Sequence, residues 1–266
     1  MEIRPNLLMS QSLNLSMQSD GRAWLEGLLS IEAAVAAQNR DIEGIFIRRT
    51  QKRKYDRRLA RLQQTAVKAS IAVDWVDDAF IEARVSGQSH GGVIAAVGPR
   101  YFVGLDDLVR GTVRPFIVML DGVEDPFNFG QAVRALYAAG VTGIVLRPRN
   151  WLSAAGTVAR ASAGATELMP FAVADTAVEA ADHLRQRELT IACTSRQKAI
   201  SIYDADLTGP LFMLLGGEKR GITRSFMDQA DIRLQIPYQR SQFSPSLGVT
   251  ASAAILGFEV MRQRQS

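Results

Sequence analysis

The chain has a single cysteine, Cys193, and only two histidines, His90 and His183. One cysteine excludes an internal disulfide and any multi-cysteine metal centre. The two histidines are isolated, so no zinc-site pattern is present and no metal is expected. Cys193 closes the run Leu189–Cys193 and reads as a buried structural thiol. No apolar run is long enough to span a bilayer, so no membrane partner is expected. Met1 to Ser19 alternates Leu, Met, Ser and Asn without the basic-then-apolar order of a signal peptide, and reads as a flexible leader. These absences point to a cytoplasmic protein. There is no Ser-His-Asp set and no carboxylate pair at a useful spacing, so hydrolysis is not indicated.

What is present is ordinary in bulk: 47% of residues are apolar and 22% charged. The length suits one large domain or two smaller ones, with material for a real core. The net charge of +4 is unevenly placed. Arg48, Arg49, Lys52, Arg53, Lys54, Arg57, Arg58 and Arg61 crowd one short stretch. Such a cluster points to a polyanion, most often nucleic acid. It reads equally as the solvated face of a helix with Leu59 and Leu62 on its buried side, and the two readings are compatible.

Periodicity gives a first half of alternating helix and strand. A helix is expected over Trp24–Arg40, a strand over Ile42–Ile47, a helix over Asp56–Ser70 and a strand over Ala72–Val76. A short helix over Asp77–Val85, a loop over Ser86–Gly92 and a strand over Val93–Val97 follow. This alternation predicts a small α/β domain. Gly98–Arg114 looks like the join. The second half opens on a strand, Phe116–Leu120, then a turn-rich stretch, then helix Gln131–Ala139 ending at Gly140. Further strands are expected at Gly143–Leu146, Leu189–Cys193, Leu211–Leu215 and Ile232–Ile236. Helices are expected at Ser153–Ser162 and Thr176–Glu188, with a start at Thr223. A long apolar helix over Ser246–Met261 is expected to be capped by Ser244 or Ser246.

Three loops stand out because each directly follows a strand. One carries Asn128 and Arg134, one Gly216–Gly221, one Pro237 to Ser246. In a parallel sheet all three gather on one edge and make one site. The second loop lacks the Lys-Ser or Lys-Thr of a phosphate loop and the spacing of a dinucleotide fingerprint. The groups on offer are cationic and hydrogen-bonding.

The segments Asp125-Pro-Phe-Asn-Phe-Gly-Gln-Ala-Val-Arg134, Leu215-Gly-Gly-Glu-Lys-Arg-Gly221 and Ile236-Pro237 through Ser246-Leu-Gly-Val-Thr-Ala-Ser-Ala-Ala254 resemble the three motifs of the SpoU/TrmH RNA 2′-O-ribose methyltransferases. Ser162-Ala-Gly-Ala165 is similar to that family's small-residue segment. The resemblance covers about Pro115 to Met261. A weaker match to the family's L30e-like substrate-binding domain is carried by Gly27-Leu-Leu-Ser-Ile-Glu-Ala-Ala and Ser89-His-Gly-Gly-Val.

The resemblance implies a leader at 1–19, an L30e-like RNA-binding α/β domain at 20–100, a linker at 101–114 and an α/β-knot domain at 115–266. In the last, Pro237 to Leu256 would be tucked through a loop as a deep trefoil knot. It implies a homodimer, S-adenosylmethionine (AdoMet) as cofactor, and RNA, of ribosomal type, as substrate. Arg134, Asn128, Glu218 and Ser246 match the family's catalytic positions. Leu215, Gly216, Gly217, Gly221, Ile236, Pro237 and Leu247 would hold the cofactor. Arg48, Arg53, Arg57, Arg58 and His90 are the candidate RNA contacts. The chain departs from the family at Gly248, where asparagine is usual; Gln242 and Thr250 are candidates to supply that group. The alternatives are a catalytically impaired AdoMet- or RNA-binding relative and a tRNA methyltransferase.

Overall fold

The computed structural model describes residues 22–50, 57–85, 90–148, 154–217, 221–240, 242 and 245–265. The first sheet has four strands, β1 (Ala23–Glu26), β2 (Arg40–Arg48), β3 (Val73–Val76) and β4 (Val93–Arg100), in the spatial order β1-β4-β2-β3. β4 runs antiparallel to β1 and β2, while β2 and β3 are parallel. Helices α1 (Leu28–Ala37), α2 (Arg57–Lys68) and α3 (Asp78–Glu82) accompany it. α2 is amphipathic: Leu59, Leu62 and Ala66 are buried one turn apart, and Arg57, Arg58 and Arg61 are exposed.

The second sheet has seven strands: β5 (Phe116–Asp121), β6 (Gly143–Leu146), β7 (Phe171–Val173), β8 (Thr190–Thr194), β9 (Ile200–Ser201), β10 (Leu211–Gly216) and β11 (Ile232–Gln235). Their spatial order is β7-β6-β5-β10-β8-β11-β9. Every pairing is parallel. A parallel sheet must be covered on both faces. Helices α4 (Pro126–Ala138) and α9 (Val249–Gln265) cover one, α7 (Ala177–Arg185) and α8 (Arg224–Gln229) the other. β5 shows the alternation: Phe116, Val118 and Leu120 join the α4/α9 core, Ile117 and Met119 the opposite one. Two short helices, α5 (Ala155–Ala161) and α6 (Ala165–Leu168), lie against the first domain.

That junction is small-residue packing reinforced by charge. Ala155 and Ala159 belong to the core of the first domain. Glu167 of α6 is buried and accepts from Arg40 through both carboxylate oxygens, at 2.9 and 3.1 Å. Arg100 adds a longer contact to Glu167 at 3.4 Å. Between the domains Val103 forms a bridge to Ala172, and a 3-10 turn at Leu105–Leu108 buries Leu108.

Three expected boundaries are corrected. Trp24–Glu26 is strand, not helix: it pairs with β4, and Gly27 at φ 86° breaks the chain before α1 starts. α4 begins five residues before Gln131, because Asp125 caps it by accepting from the Asn128 amide at 2.8 Å and Pro126 suits the first turn. α9 begins at Val249, so Ser246 lies outside it and is not its cap. β7, α6 and β9 carry no clear periodic signal and were not anticipated.

Candidate active site

The loops after β5, β10 and β11 lie at the carboxyl ends of their strands. The first two meet main chain to main chain. The Gly217 amide donates to the Asp121 carbonyl at 2.6 Å. A Cβ on Gly217 would stand 2.1 Å from the Gly122 carbonyl oxygen, so only glycine permits this approach. The third segment joins them from α9: the Thr250 hydroxyl donates to the Asn128 carbonyl at 3.3 Å. It is closed on itself by Tyr238, whose hydroxyl accepts from the Leu247 amide at 2.9 Å.

The surroundings of the cofactor candidates are apolar and backbone-rich. Leu215 and Gly217 are buried, Gly216, Ile236 and Leu247 half-buried, and Gly221 and Pro237 exposed. The Gly221 amide donates to the Gly217 carbonyl at 3.3 Å. Asn128 sits in the first turn of α4, half-buried, and Arg134 is exposed two turns further on. Arg134 makes no hydrogen bond or ion pair with another described residue. Ser246 is exposed. Glu218 and Arg53 lie outside the described residues.

The RNA candidates lie in the first domain. Arg48 pairs with Asp78 at 3.0 Å and Arg58 with Glu32 at 3.1 Å, both at the surface, while Arg57 is exposed. His90 is buried, and its Nδ1 accepts from the Gly92 amide at 3.0 Å, which leaves Nε2 as the protonated nitrogen when the ring is neutral. Thr250 is committed to Asn128, which ties two loops together. Tyr238, Arg40, Arg160 and Glu167 were missed by the sequence reading. A tyrosine just after a strand-ending proline was the one faint signal; nothing in the sequence marks pairs so far apart. Cys193 is buried in the β8 core, and burial pushes its thiol up to about 11 from 9.0, which makes it inert.

A basic mixed-sheet domain beside a parallel sheet, whose strand-end loops meet at one edge, defines a two-domain α/β protein. Residues 115–258 match the SpoU rRNA Methylase family, and residues 24–103 match the RNA 2′-O ribose methyltransferase substrate binding domain. The chain belongs to the SpoU rRNA methylase family. A 23S rRNA (guanosine-2′-O-)-methyltransferase RlmB of Pseudomonas putida is 32% identical over 212 residues, 78% of this chain and 84% of that protein. The RlmB of Shewanella oneidensis is 30% identical, covering 79% of this chain and 86% of its own length. Among solved structures, AviRb from Streptomyces viridochromogenes, a SpoU methyltransferase in complex with AdoMet, aligns with a TM-score of 0.75 at 18% identity, over 92% of this chain and 91% of its own.

Proposed function

We propose that the protein transfers a methyl group from AdoMet to a ribose 2′-hydroxyl of ribosomal RNA. The observation that carries this reading is the convergence of the three strand-end loops, with Gly217 packed on Gly122 and Thr250 bonded to Asn128. The residues there suit an adenosyl group: Leu215, Ile236 and Leu247 offer apolar contact, and Gly216 and Gly217 bring the strand-end main chains close together. Bound AdoMet supplies an electrophilic sulfonium methyl.

The chain's own side chains supply position and charge. A guanidinium is a poor base, so Arg134 is assigned to anchoring and charge stabilisation. Its planar fork suits an RNA phosphate, and its charge would favour loss of the 2′-hydroxyl proton to water as that oxygen takes the methyl and the sulfur–methyl bond breaks, with S-adenosylhomocysteine leaving. Asn128 and Ser246 are assigned to the space beside it, and Glu218, outside the described residues, is assigned to the second loop by its match to the family motif. Pro237 to Leu256 is assigned a knotted path. The exposed basic face of α2 steers RNA towards the pocket.

A homodimer belongs to the same reading. Phe127, Tyr137 and Phe258 are 52%, 41% and 43% exposed on the packed pair α4 and α9, large apolar side chains whose burial favours association. Arg134 lies in the α4 stripe between Phe127 and Tyr137, and in a dimer it would serve the partner's pocket.

The test is calorimetric titration with AdoMet, followed by methyl transfer to total RNA. Saturable binding with label in ribosomal RNA supports the proposal. Binding without transfer to RNA or ribosomal particles favours an impaired relative, the outcome to which Gly248 is relevant. No binding overturns the assigned pocket.

A further inference from the structure

A cleft of about 270 Å³ opens between the two domains, away from the three loops. Leu28 and Leu29 of α1 and Leu59 of α2 give it apolar walls. Its polar groups are His90, Glu26 at the end of β1 and Arg160 from α5. The Arg160 Nη1 donates to the Glu26 Oε2 at 2.6 Å. The cleft therefore carries a carboxylate and a guanidinium side by side next to apolar walls. It is bordered by both segments that resemble the substrate-binding domain, Gly27 onward and the stretch around His90.

We propose that this cleft receives one unstacked guanine base of the RNA substrate, a reading that rests on RNA being the substrate. RNA is read mainly through splayed bases that lie on apolar or planar side chains and present their Watson–Crick edges. Guanine offers two adjacent N–H donors on that edge, which a carboxylate accepts, beside an oxygen that a guanidinium donates to. The pair Glu26 and Arg160 presents these two functions in that order. The exposed arginines of α2 flank Leu59 and provide for the attached phosphates.

The cleft also has a mechanical link to the catalytic domain. Arg160 sits on α5, and α5 packs directly on α4: a Cβ on Gly130 would lie 2.7 Å from the Val158 carbonyl oxygen and 2.8 Å from the Ala161 Cβ. Such close packing leaves no slack between the helix that reads the base and the helix that carries Asn128 and Arg134. Glu26 and Arg160 are positioning residues, and the base they hold fixes the register of the strand presented to Arg134.

The test uses single-stranded RNA oligonucleotides that differ at one central base, bound to the full chain. Wild-type protein is expected to prefer guanine by about tenfold, the scale of one good base contact. The double variant Glu26→Gln, Arg160→Gln leaves no unpaired buried charge; it is expected to lose the preference, its affinity for the guanine oligonucleotide falling to that for the others, while keeping wild-type AdoMet affinity. In the wild-type protein, 6-thioguanosine at the central position is expected to photocrosslink to the peptides containing Leu28–Ser30 or His90, a readout that does not depend on the variant folding. RNA binding without base preference, or crosslinks confined to other peptides, overturns the cleft assignment alone. Failure to bind any RNA overturns the RNA-substrate reading with it.

Discussion

Arg40 and Glu167 lie 127 positions apart and meet as a fork at the domain junction, with side-chain exposures of 6% and 2%. Arg100 stands against the same carboxylate and over the Phe171 ring, and burial lowers its guanidinium to about 10. Asn39 donates to the Glu167 carbonyl. One carboxylate thus faces two buried cations and ties the first domain to α6.

Glu167→Gln leaves Arg40 and Arg100 facing each other without their counter-ion. Breaking a buried pair by removing one partner destabilises by about 3–5 kcal/mol. Denaturant unfolding of the variant is expected to show a midpoint lowered to that degree. An unchanged midpoint would mean the cluster is hydrated and contributes little.

Arg134→Ala is expected to lower methyl transfer by roughly 10²–10³-fold, the scale of removing one positioned charge at a reacting centre. AdoMet affinity and melting temperature should stay at wild-type values, since Arg134 bonds to no described neighbour. A comparable fall in AdoMet affinity would place the side chain in the cofactor pocket instead.

Gly217→Ala must push the second loop off the first, because the new methyl would overlap the Gly122 carbonyl. Calorimetry should show AdoMet binding reduced or abolished. Retained affinity would separate the Gly217–Gly122 approach from the pocket.

Arg57→Ala with Arg58→Ala should weaken RNA binding without altering AdoMet binding. The slope of log affinity against log salt is expected to shrink by about 0.7 for each phosphate of a single strand that is no longer neutralised. A constant slope would mean that α2 faces solvent alone.

Cys193 provides a pH test. Its pKa is raised in the folded chain, to about 11 from 9.0, because burial disfavours the thiolate. The folded state keeps the proton that the unfolded state releases. This contribution to stability is therefore full below pH 9.0 and declines as pH rises towards about 11. Native protein at pH 8 is expected to resist a thiol reagent that labels the unfolded chain at once; rapid native labelling would refute the burial.

The three loops of the site were legible because their chemistry is local: a strand runs into glycine or proline, and the next helix follows. The same local chemistry misled at Asp125-Pro126, where turn-forming residues serve as a cap and a first turn. At Trp24 to Glu26, Leu25, Leu28 and Leu29 mimic a helical stripe, yet Leu25 is a buried strand residue and Leu29 is 45% exposed at the cleft. The junction was invisible for another reason. Alanine and glycine on α5 carry no mark of what they touch, and the partners Arg40 with Glu167 and Glu26 with Arg160 meet only once both domains exist.

The neighbours of β10 bear on how the molecule assembles in time. Its residues Leu211 to Gly216 pair with Phe116 to Asp121 on one side and with Thr190 onward on the other, so the middle of the sheet is filled by a late strand. Until it arrives, β5 presents an open edge of unpaired amides and carbonyls, a template for the wrong partner. The first sheet is completed in the same way: β4, its last strand, lies between β1 and β2, and Val97 pairs with Ala23 far upstream. Both sheets are therefore expected to complete their middles late in folding, and each is expected to be most prone to aggregate before β4 or β10 is in place.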